Sequence, residues 1–377
     1  MKKNILFVGH DTSLFGANQS LINMISSIKD AGEDVIIITV FPDRGLICNQ
    51  FDDLGLEYKI VKYKTEASDP NKSLKARFLN FLRFVNKITL NALALRKLRR
   101  IVKLNNITIV HSNSSIVAIG EDLAKLEGIK HVWHLREYID LDHDLGILGG
   151  LKKHKERIQK AKNIICISKG IAKHFDIENK AFILYNAVRK EKNNVLEKNK
   201  VNYFLFCGSL VKNKGIEEAI LAFTLVYHFD KNINLLIAGS GSSEYENFLK
   251  EMVIQRNLQN NVQFLGFRKD TDKLMRNALA LLMCSENEAL GRVTIEAMLN
   301  FCIVLGFNNA GTAEIISDGV NGLLYEDRNH LATYMKRIIS GDVRDLDIIR
   351  TNAYDFANNV FLEKQFGMKL MNYYSNL

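Results

Sequence analysis

The chain has 377 residues, of which 47% are hydrophobic and 25% are charged, and 51 Lys and Arg against 42 Asp and Glu give a net charge of +9. This apolar content excludes a disordered chain, and no uncharged apolar run is long enough for a transmembrane helix. The length is sufficient for two domains, each with its own core.

Short apolar runs alternate with helix-length amphipathic segments along the chain. The runs predict strands at residues 5–8, 35–40, 107–110, 131–135, 164–167 and 182–185, and again at 203–207, 235–238, 262–265, 280–284 and 303–306. The segments between them predict helices, among them 19–31, 215–227, 245–257 and 293–300. The runs are continuous rather than alternating, which is typical of parallel strands covered on both faces. The pattern therefore predicts an α/β protein with two doubly wound parallel sheets.

A hydrophilic stretch at residues 186–200 separates the two series, and we interpret it as a linker. The predicted domains are an N-terminal Rossmann-like domain at 1–190 and a C-terminal Rossmann-like domain at 191–355. We expect residues 356–377 to form a helix that packs back towards the N-terminal domain. Because ligands of open α/β sheets bind beyond the carboxyl ends of the strands, a site is expected in a cleft that both domains face.

The positive charge is concentrated in one segment. Ten basic residues and no acid lie between Lys72 and Lys103, and the remaining chain has 41 basic and 42 acidic residues. Apolar residues recur there every three or four positions from Leu74 to Val102, which predicts one or two amphipathic helices over residues 74–104. Such a segment is either a core helix pair with a solvated cationic face or a helix resting on anionic lipid. A second basic segment, at residues 152–162, is a candidate for the same surface.

Glycine-rich turns follow two strands of the second half. The strand at 203–207 ends in Gly208 and Ser209, and a Lys214-Gly215 pair precedes the next helix. A cation beside glycines at a helix start suits a diphosphate, although a Lys-Gly pair there is more often solvated surface. The strand at 235–238 ends in Gly239-Ser240-Gly241, a turn that permits close approach of another backbone.

Two glutamates follow the strand at 280–284. Gly291 interrupts any continuous helix, so Glu288 is expected on a loop and Glu296 in the early turns of the next helix. Backbone N–H groups near Arg292 and Val293 would then bind an anion, and the two carboxylates would accept hydrogen bonds from sugar hydroxyls. The alternative is that Glu296 is a favourable acid in a first helical turn and Glu288 an ordinary loop acid.

Taken together in this order, the motifs resemble retaining glycosyltransferases of the GT-B fold, family 4 (group 1). Two further motifs of the second half, Asn309 to Ile316 and Asp318 to Leu324, extend the resemblance over essentially all of that half. The first half matches more loosely, through the Phe15-Gly16-Ala17 loop and the segments at 164–169 and 183–186. The first loop lacks the glycine spacing of nicotinamide dehydrogenases.

The resemblance implies a role for each matching residue. Glu288, His134 and Lys214 would be catalytic, and Arg136 and Glu137 would bind the acceptor. Lys214 would neutralise the diphosphate, and Glu296 would hold the ribose; the residues implied in donor binding are Gly16, Gly208, Ser209, Lys214, Gly239, Gly241, Gly291, Arg292, Val293 and Glu296. The alternative for His134 is a structural imidazole. Two departures from the family pattern stand out: Ser209 replaces the usual Arg, with Lys212 or Arg292 available to compensate, and Phe15-Gly16 replaces the usual paired glycines.

The function implied is that of a retaining, metal-independent hexosyltransferase. It would move a sugar from a nucleotide-sugar donor, a UDP-sugar, to a glycan, lipid-linked or protein acceptor in bacterial surface polysaccharide or glycoconjugate synthesis. No cofactor, metal or nucleic acid is expected. The expected location is cytoplasmic and peripheral, at the inner face of the plasma membrane, where residues 74–104 would bind an anionic surface. A homo- or hetero-oligomer is also expected. The alternatives are a non-catalytic glycosyltransferase-like accessory subunit and an epimerase or phosphorylase of the same fold.

Overall fold

The computed structural model describes residues 3–13, 16–30, 35–68, 73–142, 145–188, 200–343 and 345–377. Phe15 and Lys72 lie outside the described residues, as does most of the predicted linker at 186–200. The strands are β1 (Ile5–Val8), β2 (Ile37–Phe41), β3 (Tyr58–Ile60), β4 (Ala67–Ser68), β5 (Ile109–Ser112), β6 (Lys130–Leu135), β7 (Gly146–Ile147), β8 (Ile164–Cys166), β9 (Phe182–Ile183), β10 (Tyr203–Cys207), β11 (Asn234–Ala238), β12 (Val262–Gly266), β13 (Ala280–Met283), β14 (Ile303–Phe307) and β15 (Leu323–Tyr325).

The helices alternate with these strands through most of the chain. They are α1 (Gly16–Asp30), α2 (Leu46–Asp53), α3 (Leu74–Leu104), α4 (Ile119–Glu127), α5 (Leu151–Lys160), α6 (Lys169–His174), α7 (Ile216–Tyr227), α8 (Ser243–Gln255), α9 (Thr271–Asn277), α10 (Arg292–Met298), α11 (Ala310–Ile315), α12 (Arg328–Ile339), α13 (Leu346–Val360) and α14 (Glu363–Ser375).

Two parallel sheets form the framework. The first has the strand order β3-β2-β1-β5-β6-β8-β9 and the second the order β12-β11-β10-β13-β14-β15. In both, the order reverses beside the first strand of the series, between β1 and β5 and between β10 and β13, as in doubly wound Rossmann-like sheets. The α/β class with two such sheets is therefore confirmed.

The central strands are buried along their whole length, as their uninterrupted apolar runs predict. Every residue of β1, β2, β5 and β13 is buried, because helices cover both faces of each sheet. Four short strands were not predicted, namely β3, β4, β7 and β15. They have two or three residues each and contain partly exposed positions, so their apolar runs are too short to predict a strand.

The chain divides into two compact units. The N-terminal unit comprises Met1–Ala187 and Glu363–Leu377, and the C-terminal unit comprises Val188–Leu362. The segment predicted as one helix at 356–377 is two helices instead, because α13 ends at Val360 in the C-terminal unit and α14 begins at Glu363 in the N-terminal unit. Within the N-terminal unit α14 packs on α1 so closely that a Cβ on Gly367 would lie 2.3 Å from the Ser27 carbonyl oxygen.

Residues 74–104 form one helix of 31 residues, α3. Its apolar positions do not form the single core-facing row that their spacing predicts. Leu98 and Val102 are buried in the core, whereas Phe78 and Phe81 are 62% and 61% exposed. Phe84 has the same angular position as Val102, five turns earlier, yet it is exposed, and no residue from 78 to 90 is buried. Only the second half of α3 therefore packs on the core. Among the described residues, no helix combines the length and the apolar character needed to cross a bilayer.

Candidate functional site

Two glycine turns meet at the carboxyl ends of β10 and β11. The Gly208 N–H donates to the Ala238 carbonyl at 3.0 Å, and the Leu210 N–H donates to the Ser240 carbonyl at 2.9 Å. A Cβ on Gly239 would lie 1.8 Å from the Gly208 oxygen, and one on Gly241 would lie 2.2 Å from the Leu210 oxygen. Both glycines are therefore required by the approach of the neighbouring backbone.

The sheet order places a lysine turn beside these loops. Lys212–Lys214 forms a single 3-10 turn, and Gly215 then adopts a φ of 70° before α7 begins. A Cβ on Gly215 would lie 2.1 Å from the Cys284 carbonyl oxygen, at the end of β13. Since β10 and β13 flank the point where the strand order reverses, the turn that carries Lys214 lies where ligands of such sheets bind.

We expect Gly215→Ala to destabilise the C-terminal unit by about 2–5 kcal/mol, because it combines a left-handed backbone with an overpacked contact. Gly319 is the matched control, since its φ is 71° and a Cβ there meets nothing within 4 Å. Gly319→Ala should cost only about 1–2 kcal/mol, from the backbone alone. Urea unfolding of the two variants measures the difference. Equal losses would mean that the contact with β13 does not constrain this turn.

Glu288 is on the loop between β13 and α10, and Glu296 is in α10, where the sequence places them. The Lys214 Nζ and the Glu288 Oε2 are 2.6 Å apart, although the residues are 74 positions apart in the chain. The loop is fixed from its other side, because the Gly311 N–H donates to the Glu288 carbonyl at 2.8 Å and the Asn309 Nδ2 donates to the Glu286 carbonyl at 2.8 Å. Asn309 and Gly311, from the motif at residues 309–316, therefore hold the loop that carries Glu288. The spacing of that motif alone did not predict this role.

Glu296 lies near the end of β10. The Arg292 Nη2 is 3.4 Å from the Glu296 Oε1, and both side chains remain partly exposed. Burial and the Glu296 carboxylate together raise the pKa of the Cys207 thiol, at the end of β10, to about 12. Gly291 precedes α10 with a φ of 85°. Two carboxylates and two cations thus lie on the segments that follow β10 and β13.

This arrangement is suited to a ligand that carries both an anion and hydroxyl groups. Lys214 and Arg292 supply cationic donors, and the Glu288 and Glu296 carboxylates accept hydrogen bonds. Ser209 stands where the family pattern has Arg, and it is exposed. Arg292 begins α10, which follows the neighbouring strand β13. Among the described residues, no group of three or more His, Cys, Asp or Glu is placed to hold a metal ion.

His134 lies inside β6, within the predicted strand, and is fully buried. Its Nδ1 is 3.1 Å from the His111 Nε2 and 3.3 Å from an Arg136 nitrogen. Burial and the Arg136 cation hold the pKa of His134 well below its usual range, so the ring is neutral at pH 7. This placement corresponds to a structural imidazole and does not support a catalytic role.

Arg136 and Glu137 follow β6 and were predicted to bind an acceptor. The Arg136 guanidinium is buried, donating to the side-chain oxygens of Asn113 and Asn186. The Glu137 carboxylate accepts from the Ser115 N–H at 2.7 Å and from the Ser114 hydroxyl at 2.6 Å. Both side chains organise the loops at the strand ends of the N-terminal unit, and the buried position of Arg136 does not fit contact with an acceptor.

Sequence reasoning missed the partners that complete this buried group. The Tyr374 hydroxyl in α14 is 2.7 Å from the His111 Nδ1, although the two residues are 263 positions apart. No local motif signals that contact. Gly16, predicted to approach the donor, is exposed as the first residue of α1, and a Cβ there would meet nothing within 4 Å.

Two Rossmann-like units with parallel sheets define the class of the fold, which is that of the GT-B glycosyltransferases. HepE from Anabaena, whose crystal structure was determined in complex with UDP, aligns with a TM-score of 0.79 over 100% of both chains at 19% identity. The likeness at this identity establishes the fold.

Sequence comparisons point to one family. Residues 188–356 match the model of the family described as glycosyl transferases group 1. An uncharacterized glycosyltransferase of Methanocaldococcus jannaschii is 28% identical over 283 residues, which is 73% of this chain and 77% of that protein. The capsular polysaccharide biosynthesis glycosyltransferase CapM of Staphylococcus aureus is 29% identical over 59% of this chain and 60% of its own length. The family match falls on the C-terminal unit, which contains Lys214, Glu288 and Glu296.

Proposed function

We propose that the protein is a group 1 glycosyltransferase that transfers a sugar from a UDP-sugar to a glycan, lipid-linked or protein acceptor, with retention of anomeric configuration and without a metal ion. The observation that carries this proposal is the 2.6 Å pair of Lys214 and Glu288 at the strand-order reversal of the C-terminal unit. The pair places a cation for a diphosphate directly beside an acceptor for sugar hydroxyls.

The comparisons support the substrate class and the pathway. The HepE crystal structure contains UDP, and CapM acts in capsular polysaccharide biosynthesis. We therefore assign UDP-sugar as the donor and bacterial surface polysaccharide or glycoconjugate synthesis as the setting.

In the proposed reaction, the bond between the anomeric carbon and the donor diphosphate breaks while a bond to the acceptor oxygen forms on the same face. The acceptor proton passes to an oxygen of the leaving diphosphate. Lys214 stabilises the negative charge that develops on this diphosphate, because a preorganised cation acts most strongly where charge appears in the transition state. Glu288 holds hydroxyls of the transferred sugar, and Glu296 holds those of the ribose. His134 and Arg136 have no part in the proposed mechanism because both are buried.

Thermal unfolding with UDP, GDP and ADP tests the donor assignment. A ligand at about 100 times its dissociation constant stabilises the folded protein by about 2.7 kcal/mol, which corresponds to a shift of roughly 5–10 °C for a unit of this size. We expect UDP to give the largest shift. No shift with any of the three nucleotides would overturn the proposal. UDP binding without hydrolysis or transfer of any UDP-sugar would favour the alternative of a non-catalytic accessory subunit. The residue that suggests this alternative is Ser209, which replaces the usual Arg.

Metal independence is tested separately. We expect turnover of the UDP-sugar to be the same in excess EDTA as in buffer with Mg²⁺, because Lys214 supplies the positive charge that a metal ion supplies in other sites. Initial rates of UDP release measure this. Loss of turnover in EDTA that is recovered with Mg²⁺ would contradict this part of the proposal while leaving the UDP-binding result intact.

A further inference from the structure

None of residues 78–90 of α3 is buried, and Leu79, Phe84 and Ile88 are among its exposed apolar side chains. With about 100° between successive residues of a helix, Asn91, Ala94 and Leu98 mark the side that packs on the core in the second half. The opposite side, here called the outer face, has large apolar residues up to position 93; these are Phe78, Phe81, Leu82, Val85 and Leu93, all of them exposed. Soluble monomers rarely expose a contiguous apolar surface of this kind without a binding partner.

The same outer face becomes cationic in its second half. The cationic residues that follow along this side are Arg96, Arg99, Arg100 and Lys103, and all four are exposed. The three arginines have the same angular positions around the helix as Phe78, Phe81 and Leu82. Arg99 forms an ion pair with Glu127 in α4. Residues 73–104 contain no Asp or Glu.

Charge decides what covers this face. A parallel second copy of the helix would bring two rows of cations together, which is unfavourable without intervening acids. An antiparallel copy could cover the apolar half alone, but it would leave the basic half without a partner. A nucleic acid would match the cations but would leave the phenylalanines without apolar contacts. An anionic bilayer satisfies both halves, since acyl chains accept the apolar side chains and lipid phosphates attract the basic ones.

A second basic element is connected to the same region. The Lys87 Nζ in α3 is 2.6 Å from the Glu66 Oε1, and the Glu66 carbonyl accepts the Leu148 N–H at 2.7 Å. Three residues later α5 begins, with Lys152 and Lys153 exposed at its start. The start of α5 is thereby tied to the middle of α3.

We infer that the outer face of α3 is a docking surface for an anionic lipid bilayer, with the apolar half inserted among acyl chains and the basic half on lipid phosphates. The inference does not rest on the proposed sugar transfer, because it uses none of the residues near Lys214. It also corrects the view of α3 as a conventional amphipathic helix, since the apolar and basic parts follow one another along one face.

Sedimentation with vesicles tests this inference on the full chain. The vesicles contain phosphatidylcholine alone or phosphatidylcholine with phosphatidylglycerol. We expect binding to the anionic vesicles only. The apolar variant carries Phe78→Ser, Phe81→Ser and Val85→Ser, and the basic variant carries Arg96→Gln, Arg100→Gln and Lys103→Gln. Each should weaken the partition onto anionic vesicles, the basic variant by about 100-fold, since each of its three basic residues near the surface contributes about fivefold.

Matched controls use equally exposed residues elsewhere. The apolar control carries Phe229→Ser, Ile254→Ser and Ile348→Ser, and the basic control carries Lys250→Gln, Lys273→Gln and Lys369→Gln. Both controls should bind vesicles as the unaltered protein does, and all four variants should keep the far-ultraviolet circular dichroism and UDP-induced thermal shift of the unaltered protein.

Three outcomes would overturn the inference. The first is equal sedimentation of the two α3 variants and their controls. The second is self-association that the apolar variant abolishes, without vesicle binding by the unaltered protein, which would assign the face to a second copy. The third is tight binding to duplex RNA that survives the apolar substitutions, together with no binding to anionic vesicles.

Discussion

Lowering the pH from about 7 to about 5.5 is expected to destabilise the N-terminal unit by about 4–5 kcal/mol. The cause is the burial of His111, His131, His134 and His154, which lowers the pKa of all four rings. The pKa of His154 falls to about 4. The Arg136 cation adds to the effect on His111 and His134.

The direction of the effect follows from proton binding. In the unfolded chain each ring takes up a proton below about pH 6.5, whereas in the folded protein it stays neutral. Acid therefore favours the unfolded chain, and the stability lost is about 1 kcal/mol for each histidine over this range. The full stability is present at neutral pH and above.

Hydrogen exchange at the two pH values, corrected for intrinsic rates, measures this loss segment by segment. Protection should fall in β5, β6 and α14, and the C-terminal unit serves as the internal control. His154→Gln should reduce the pH dependence by about one quarter, because it removes one of the four titrating rings. The glutamine amide can replace the donor that reaches the Ser115 carbonyl at 2.8 Å, so the fold should be kept. Equal loss of protection in both units would show that the buried histidines are not the cause.

Lys214→Met is expected to reduce sugar transfer by about 100- to 1,000-fold, the loss typical when one preorganised donor is removed from a developing anion. UDP should also bind about 10- to 100-fold more weakly, because a charge-assisted bond to phosphate is lost. Lys212→Met is the matched control, since Lys212 is exposed in the same turn and has no carboxylate partner within the part of the chain that the structure describes. Calorimetry with UDP and initial rates of UDP release measure the two effects.

Glu288→Gln should separate binding from transfer. UDP lacks the sugar, and the substitution removes a carboxylate 2.6 Å from the Lys214 ammonium, so UDP should bind more tightly than to the unaltered protein. Transfer should nevertheless fall, because the sugar loses a charged acceptor. Weaker UDP binding by Glu288→Gln would mean that Glu288 only positions Lys214.

For the lysine variants, equal losses of transfer and UDP affinity in Lys212→Met and Lys214→Met would assign the effect to the charge of the turn as a whole.

The residues of the C-terminal unit could be placed from the sequence because their positions are local. Gly208 and Gly239 each follow a buried strand directly, and Glu288 is on the loop after β13. Parallel strands bring their carboxyl ends to one edge of a sheet. The alternation of apolar runs with amphipathic segments was likewise enough to predict both sheets. The 2.6 Å approach of Lys214 to Glu288 requires the strand order β10-β13, which no local pattern determines.

The failures have a different physical origin. The apolar residues of α3 have helical spacing, but spacing cannot distinguish a side that faces the core from one that faces outwards. His134 lies near the end of an apolar run, and its surroundings include His111, which in turn contacts Tyr374 from the far end of the chain. Such contacts arise from packing between distant segments and leave no signature in either segment alone.

The last helix, α14, has a consequence for how the protein is made. Ribosomes release the N-terminal part of a chain first, and domains usually fold in that order. Here the first 187 residues remain without the element that covers α1 until Glu363–Leu377 has been synthesised. The N-terminal unit is therefore the last to be completed, and a nascent chain stalled before residue 363 exposes apolar surface to chaperones and proteases.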